Sequence, residues 1–172
     1  MCIRDSNDVM ALRAPGALQT AAALDVDICL MHMQGDPRTM QSDPRYGDVA
    51  SEVRSFLLER AIACEAAGVA RERIVLDPGF GFGKTVDHNL QLLRSLPDLA
   101  ASEYRVLAGL SRKSMLQAII DRPVDQRLAG SLALALLAAQ GGADIIRVHD
   151  VAETRDVLRV LKAVWPNPGH RE

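Results

Sequence analysis

The chain alternates short apolar runs with longer stretches of helical periodicity. Each apolar run ends in glycine or polar residues, and the runs that we predict as strands are 27–34, 73–79, 105–111 and 144–150. Short apolar runs bounded by turn residues are typical of buried strands. Because the intervening stretches are long enough for a helix, the strands are predicted to be parallel and joined by right-handed crossovers. The pattern predicts an α/β fold.

Helices are predicted between these strands. In the first long one, apolar residues recur at three- and four-residue spacing from Val49 to Cys64, and Gly68 is placed to end it. The next covers about 85–96 and ends before Pro97, which cannot continue a helix. The first of these helices is expected to bury one apolar stripe.

Two more helices are expected in the C-terminal half of the chain. A short helix is also expected near Pro15, close to the N-terminus. Segment 127–142 is apolar nearly all round, which predicts a well-covered helix. The last helix is predicted to begin at Asp150, with Glu153 at the spacing of a capping box. The residues expected to face inward from it are Val157, Val160, Leu161 and Val164.

Two architectures fit this alternation of strands and helices. One is an open doubly wound sheet, and the other is part of a closed (β/α)8 barrel, which usually needs about 250 residues. The chain has 172 residues. Its length alone therefore favours the open sheet.

Composition and charge limit the class of protein. Hydrophobic residues make up 48% of the chain, enough for one domain with a core, and the formal net charge is −2. This charge gives no reason to expect a nucleic-acid or membrane partner. The three cysteines lack metal-ligand spacing and are odd in number, which favours a reducing compartment. With no signal-peptide pattern at the N-terminus, we expect a cytoplasmic location.

The stretch 76-LDPGFGFGKT-85 looks like a phosphate-binding loop but fits neither common pattern. A Walker A loop that ends in Gly83-Lys84-Thr85 would need its first glycine at the position of Pro78. The dinucleotide fingerprint would need a glycine at Lys84. The glycines must therefore serve another purpose.

An acid and two aromatic residues remain at this strand end, namely Asp77, Phe80 and Phe82. A buried carboxylate beside an aromatic ring suits a flat, nitrogen-rich heterocycle, which donates hydrogen bonds to the acid while it stacks on a side chain. Taken alone, Asp-Pro-Gly is more often an ordinary turn. The neighbouring strand ends decide between these interpretations.

The next two strand ends are also polar. Residues 111–113, Ser-Arg-Lys, lie where a helix is expected to begin, which suits an anion or a polar ring substituent. Arg147 and His149 alternate on the last predicted strand and are expected to share a face that can hold a phosphate. Each group also has an ordinary structural interpretation, as a solvated helix start or a strand-end histidine. Their recurrence at successive strand ends indicates an active site.

Together these segments resemble the dihydropteroate synthases, the folate-pathway enzymes that sulfonamides inhibit. The matching segments, in family order and at family-like spacing, are 7-ND-8, 30-LMHMQGDPRTMQ-41, 76-LDPGFGFGKT-85, 109-GLSRKS-114 and 145-IIRVHDV-151. The resemblance extends from Asn7 to about Trp165. It implies a partial (β/α)8 TIM barrel, with strands 5–8 and their helices present, contrary to the argument from length.

The resemblance also implies that the first three to four strands are missing. The mobile loops that follow the first strands in the family are absent, and no apolar strand precedes Asn7. Residues 1–6 are therefore hypothesised to be a non-native junction, and 7–172 to be the C-terminal portion of one pterin-binding barrel domain. The strand residues expected to lose packing partners are Ile28, Leu30, Ile74 and Leu107.

The activity that the resemblance implies is the condensation of p-aminobenzoate with 6-hydroxymethyl-7,8-dihydropterin diphosphate, which gives 7,8-dihydropteroate and diphosphate. The residues that would be catalytic are Asp77 and Lys113. Those that would bind the pterin are Asn7, Met31, Asp77, Gly109, Lys113 and Arg147. Those that would bind p-aminobenzoate are Phe82, Ser111 and Lys113. Those that would bind diphosphate are Asn7, Arg147 and His149.

Cofactor and partners are implied in the same way. Mg²⁺ would be bound with the diphosphate through an asparagine of the absent first strand, so no residue of this chain is predicted to be a metal ligand. The complete enzyme would be a homodimer, and this chain alone is expected to be inactive. Two alternatives stay open: a non-catalytic pterin-binding half-barrel that needs a partner chain, and a protein like the methyltetrahydrofolate:corrinoid methyltransferases. The strand ends 109-GLSRKS-114 and 147-RVHD-150, which suit an anionic leaving group and a carboxylate, argue against the methyltransferase alternative.

Overall fold

Strands and helices alternate along the chain in the computed structural model, which describes residues 5–35, 40 and 43–166. The strands are β1 (Asp5–Asp8), β2 (Asp27–Met31), β3 (Ile74–Asp77), β4 (Arg105–Ala108) and β5 (Ile145–Ile146). The α-helices are α1 (Ala17–Ala23), α2 (Val49–Ala66), α3 (Val86–Arg94), α4 (Leu96–Ala100), α5 (Ser114–Ile120), α6 (Leu128–Gln140) and α7 (Val151–Val164).

The strands form one parallel sheet in the order β1-β2-β3-β4-β5. The predicted α/β class and parallel pairing are therefore confirmed. Strand β1 was not among the four predicted strands, because its sequence DSND has no apolar residue for the pattern to detect. It pairs with β2 so that Asn7 lies opposite Cys29. Residues 1–4 of the hypothesised junction lie outside the described residues, and Asp5 and Ser6 belong to β1.

The four predicted strands all end earlier than expected. Strand β2 ends at Met31, β3 at Asp77, β4 at Ala108 and β5 at Ile146. The glycine and polar residues that follow belong to loops at the carboxyl edge of the sheet. These loops carry the candidate site.

The two faces of the sheet are packed differently because successive strand residues point to opposite sides. Ile28, Leu30 and Ile74 are fully buried in the main core, which includes residues of the helices. The expectation that they would lose partners is therefore wrong. On the opposite face a small cluster forms from Cys29, Val75, Leu107 and Ile145. Of the four residues named for that expectation, only Leu107 lies on this face.

Helix α2 follows its predicted pattern and is capped by Asp48, which accepts hydrogen bonds from the N–H groups of Ala50 and Ser51 at 3.0 and 3.2 Å. Its buried stripe consists of Val49, Val53, Leu57, Ala61 and Cys64. The next predicted helix, 85–96, is confirmed as α3, and a further short helix, α4, follows it. Helix α3 ends at Arg94, and Pro97 lies in the first turn of α4, where its missing N–H costs nothing.

The predicted capping box at Asp150 is absent, and a capping box occurs instead at the start of α3. There the Thr85 hydroxyl accepts from the His88 N–H at 3.1 Å, and the His88 ring accepts from the Thr85 N–H at 3.3 Å. The Asp150 carboxylate makes no cap hydrogen bond and pairs with Arg112. Asp150 thus forms an ion pair with a residue distant in sequence instead of capping α7.

Burial of the last two helices was overestimated. On α7, Leu161 is buried, but Val160 and Val164 are 64% and 58% exposed. On α6, Leu137 is 50% exposed, so this helix is not covered on every side. Helix α7 follows the edge strand β5 and packs against α6, and part of its apolar surface remains exposed.

Candidate active site

A cleft of about 350 Å³ lies where the carboxyl ends of the parallel strands meet. Eight of the nine predicted site residues line it: Asn7, Met31, Phe82, Gly109, Ser111, Lys113, Arg147 and His149. The ninth, Asp77, is buried and bonded to Arg147. The structure thus brings all nine together, although the roles assigned to them remain predictions.

Asp77 is fully buried at the end of β3. Its Oδ1 accepts a hydrogen bond from the Gly79 N–H at 2.8 Å, and its Oδ2 accepts one from Arg147 Nη2 at 3.0 Å. Burial raises the pKa of Asp77, while the positive charges of Arg147 and Lys113 oppose this shift. The arrangement provides a desolvated carboxylate with defined donors on both oxygens.

Arg147 reaches from the end of β5 to Asp77, with its side chain 40% exposed. Gly109 leaves the space that the guanidinium needs, because a Cβ built on Gly109 would lie 2.8 Å from Arg147 Nη2. Arg147 is therefore bonded to the buried acid and open to the cleft, and it can receive an anion or a flat ring.

Lys113 and Phe82 form one wall of the cleft. The Lys113 ammonium lies over the Phe82 ring, 4.4 Å from its centroid. Burial and the charge of Arg147 lower the pKa of Lys113, and Asp77 opposes this shift. Phe80, which the sequence placed beside the acid with Phe82, instead belongs to the main core.

Ser111 and His149 form the adjoining part of the cleft. The Ser111 hydroxyl accepts a hydrogen bond from the His149 N–H at 3.3 Å and lies 3.0 Å from His149 Nδ1. Because the hydroxyl oxygen already accepts from the backbone, it can donate its own hydrogen to Nδ1. This contact orients the imidazole so that Nε2 remains available to a ligand.

The glycine turn, residues 79–83, explains the motif that resembled a phosphate loop. Gly79, Gly81 and Gly83 have φ of +68°, +78° and +61°. A Cβ on Gly79 would lie 1.9 Å from the carbonyl oxygen of His32, and one on Gly83 would lie 2.4 Å from that of Gln34. The glycines allow this turn to lie directly against the loop that follows β2.

Arg112 does not contribute to the cleft as the sequence suggested. Its Nε and Nη2 donate to the Asp150 carboxylate at 3.1 and 2.5 Å. Its φ of 57° is unusual for a residue other than glycine, and its N–H donates to Ser131 Oγ at 2.9 Å. Arg112 thus fixes the loop that carries Ser111 and Lys113.

Sequence reasoning missed the buried polar residues that support these loops. Arg127 donates to the carbonyls of Arg112 and Lys113 at 3.1 and 3.4 Å. Asn89 accepts from the Gly81 N–H at 2.7 Å. A usable signal existed only for Ser131, which is a polar residue within the otherwise apolar sequence of α6.

The described residues offer no metal centre. Within residues 5–35 and 43–166, no three His, Cys, Asp or Glu side chains stand together so that they could hold a metal ion. In the same part of the chain, no helix is long and apolar enough to cross a membrane.

Comparison with known proteins gives a consistent set of relatives. Residues 6–149 match the family described as pterin binding enzyme. A dihydropteroate synthase of Haemophilus influenzae is 54% identical over 157 residues, which cover 91% of this chain and 57% of that protein. The chain thus spans little more than half the length of this relative.

Solved structures agree with these relatives. A Yersinia pestis dihydropteroate synthase in complex with a sulfonamide drug superimposes with a TM-score of 0.91 at 44% identity, covering 95% of this chain and 60% of that one. A Xanthomonas albilineans dihydropteroate synthase with 4-aminobenzoic acid gives 0.88 at 51% identity, covering 95% and 58%. The chain therefore belongs to the family of pterin-binding enzymes, and the relatives that it matches are dihydropteroate synthases.

Proposed function

We propose that this chain is the C-terminal portion of a dihydropteroate synthase. The complete protein would join p-aminobenzoate to 6-hydroxymethyl-7,8-dihydropterin diphosphate and release diphosphate. The observation that carries the proposal is the convergence of Asp77, Lys113 and Arg147 with the other predicted residues in one cleft. The 4-aminobenzoic acid bound by the Xanthomonas albilineans relative supports the choice of substrate.

The chemistry that this site would perform is substitution at the methylene carbon of the pterin. The bond from that carbon to the diphosphate oxygen breaks, the arylamine nitrogen forms a bond to the carbon, and the amine loses a proton. Positive charge develops on the pterin as the diphosphate leaves. Asp77 would accept hydrogen bonds from the pterin amino and ring N–H groups and stabilise this charge.

The remaining residues would bind the leaving diphosphate, the entering p-aminobenzoate or the pterin ring. Arg147, Asn7 and His149 would bind the diphosphate, and Arg147 would also stack on the pterin. Phe82 and Ser111 would form the p-aminobenzoate side with Lys113. Met31 and Gly109 would line the pterin slot. Mg²⁺ would enter with the diphosphate.

The architecture that we propose is part of a (β/α)8 barrel. The order of the five described strands follows the chain without the reversal that marks a doubly wound sheet, which supports the barrel. The small cluster of Cys29, Val75, Leu107 and Ile145 would then face the barrel interior. The missing strands would come from the part of the relatives that this chain does not cover.

Association into a homodimer and a cytoplasmic location are further parts of the proposal. Exposed apolar side chains lie along residues 119–128, which supports a contact with a second copy: Ile119, Ile120, Val124 and Leu128. Sedimentation of the complete protein and of a variant with Ile119→Asp tests this contact. A monomeric parent protein would contradict it.

The test of the activity is diphosphate release that depends on p-aminobenzoate. The chain is assayed alone and after mixing with the N-terminal part of the Haemophilus influenzae relative that it does not cover. We expect turnover only in the mixture. Methyl transfer from methyltetrahydrofolate in the same mixture would favour the methyltransferase alternative, and pterin binding without either reaction would favour a non-catalytic half-barrel.

A further inference from the structure

Lys84 is a buried lysine beside the cleft that the proposed reaction does not use. It is 3% exposed, and its ammonium donates to the carbonyl oxygens of Gly79 and Phe82, both at 3.0 Å. It also lies 3.0 Å from His32 Nδ1 and 3.4 Å from the His32 carbonyl oxygen. A buried lysine amino group is tolerated only when its N–H donors find acceptors, and here the acceptors come from two loops.

The carbonyls that Lys84 binds belong to the glycine turn, which carries Phe82 into the cleft. The turn is closed by a hydrogen bond from the Phe82 N–H to the Gly79 carbonyl at 3.1 Å. Gly83 is held separately, because its carbonyl accepts from the Tyr46 hydroxyl at 2.9 Å. Lys84 therefore ties both ends of the closed turn to His32 in the loop after β2.

We propose that Lys84 is a positioning residue that holds the glycine turn in the conformation in which the Phe82 ring packs against the Lys113 ammonium. A turn with three glycines has little intrinsic preference for one conformation, so a fixed Phe82 needs an external constraint. The inference rests on the proposed function in one respect, namely that Phe82 and Lys113 form the p-aminobenzoate side.

The charged groups around Lys84 are compatible with this role. Besides burial, the charges of Asp77 and Lys113, which lie at neighbouring strand ends, influence the pKa of Lys84. Burial and the positive charge of Arg13 lower the pKa of His32. Burial, with the charges of Lys84 and Arg13, lowers the pKa of His32 to about 3. His32 is therefore neutral at ordinary pH, and its Nδ1 can accept a hydrogen bond from the Lys84 amino group.

The test follows the Lys113 signals by NMR in the 172-residue chain labelled at lysine. The sequence has three lysines, Lys84, Lys113 and Lys162, so each signal is assigned by substitution. Because the Lys113 ammonium lies over the Phe82 ring, the ring should shift the ε-methylene signals of Lys113 upfield, and Phe82→Leu should show their position without the ring. In Lys84→Met we expect more than half of that upfield shift to be lost. The exposed control Lys162→Met should keep it.

A second variant separates positioning from general stability. Lys84→Gln keeps an amide donor and should lose less of the Lys113 shift than Lys84→Met. An unchanged Lys113 signal in both variants would overturn the proposal. Loss of the whole folded state by both variants would also overturn it, because Lys84 would then support the fold rather than the turn.

The final arm measures catalysis in the complete protein. Lys84→Met should raise KM for p-aminobenzoate several-fold more than KM for the pterin diphosphate, because Phe82 lies on the p-aminobenzoate side. Equal effects on both KM values would contradict the positioning role. The NMR arm involves no substrate, so failure of the proposed function alone would leave the Lys113 result intact.

Discussion

At the scale of single residues, the site depends on ionisable groups that are buried but paired. Asp77 and Arg147 illustrate this. The Asp77 carboxylate is fully buried, and the Arg147 guanidinium both pairs with it and is open to the cleft. Removing one member of such a pair leaves the other without its partner. Substitutions here should therefore change function in ways that depend on charge rather than on shape.

Asp77→Asn should reduce turnover of the complete protein by about 10² to 10³-fold, because the amide cannot stabilise a developing positive charge. The measurement is p-aminobenzoate-dependent diphosphate release, with the midpoint of thermal unfolding recorded alongside. The exposed Asp98→Asn is the matched control and should change neither quantity. Unchanged turnover in Asp77→Asn would show that the acid is structural.

Arg147→Lys should weaken binding of the pterin diphosphate, although the charge is kept. An ammonium cannot stack as a planar group or donate to Asp77 and an anion through a rigid fork. Isothermal titration with the pterin diphosphate measures the effect, and Arg159→Lys at an exposed position is the control. Equal affinities for parent and Arg147→Lys would place the anion site elsewhere.

Lys84 should make the free energy of unfolding depend on pH. Burial lowers the pKa of Lys84 from 10.5 to about 7 in the folded chain. Between these values the unfolded chain binds a proton that the folded chain has released, so stability should rise with pH across this window. One proton contributes at most about 1.4 kcal/mol per pH unit.

Urea denaturation across the same window measures this contribution. Lys84→Met should lack the part of the slope that Lys84 causes, whereas Lys162→Met should retain it. A parent chain whose stability falls as pH rises from 7 to 10.5, with no difference from Lys84→Met, would contradict the lowered pKa.

At the scale of elements, the carboxyl ends of the strands were the most informative part of the sequence. The strands themselves were predicted too long, because hydrophobicity does not show where pairing stops. The loop residues beyond them were nevertheless assigned to the correct edge, since parallel strands share one direction. The Lys84 contacts had no sequence signal, because they join loops that follow two different strands.

The glycine turn gives a test at this scale. Gly79→Ala should destabilise the chain by more than about 2 kcal/mol, because an alanine at positive φ is strained and its Cβ would overlap the His32 carbonyl. Gly68→Ala is the matched control, since Gly68 also has positive φ, +94°, but nothing lies within 4 Å of its Cβ position. Chemical denaturation measures both, and equal losses would show that the close approach is not required.

At the scale of the whole molecule, the two faces of the sheet contribute unequally to stability. Leu76 is completely buried in the main core, whereas Leu107 is 8% exposed in the small cluster on the other face. Leu76→Ala should cost about 2–5 kcal/mol in the chain alone, and Leu107→Ala should cost less.

Addition of the N-terminal part of a relative should change the difference in destabilisation between Leu76→Ala and Leu107→Ala. If that part covers the small cluster, the cost of Leu107→Ala should rise in the mixture while that of Leu76→Ala stays the same. Urea denaturation of both variants, alone and mixed, provides the measurement. A cost for Leu107→Ala that does not respond to the added part would contradict the proposed barrel.

The sequence by itself determined the α/β class and the parallel sheet, because periodicity is a local property of the chain. It also placed Asp77, Phe82, Ser111, Lys113, Arg147 and His149 at strand ends, whereas Asn7, Met31 and Gly109 were named only through the family resemblance. Only the tertiary structure decided which charges pair. Asp77 binds Arg147 seventy positions away, and Asp150 binds Arg112 instead of capping its own helix. It also decided that Val160 is exposed and Lys84 buried. These outcomes depend on which elements become neighbours, and neither residue type nor spacing records that.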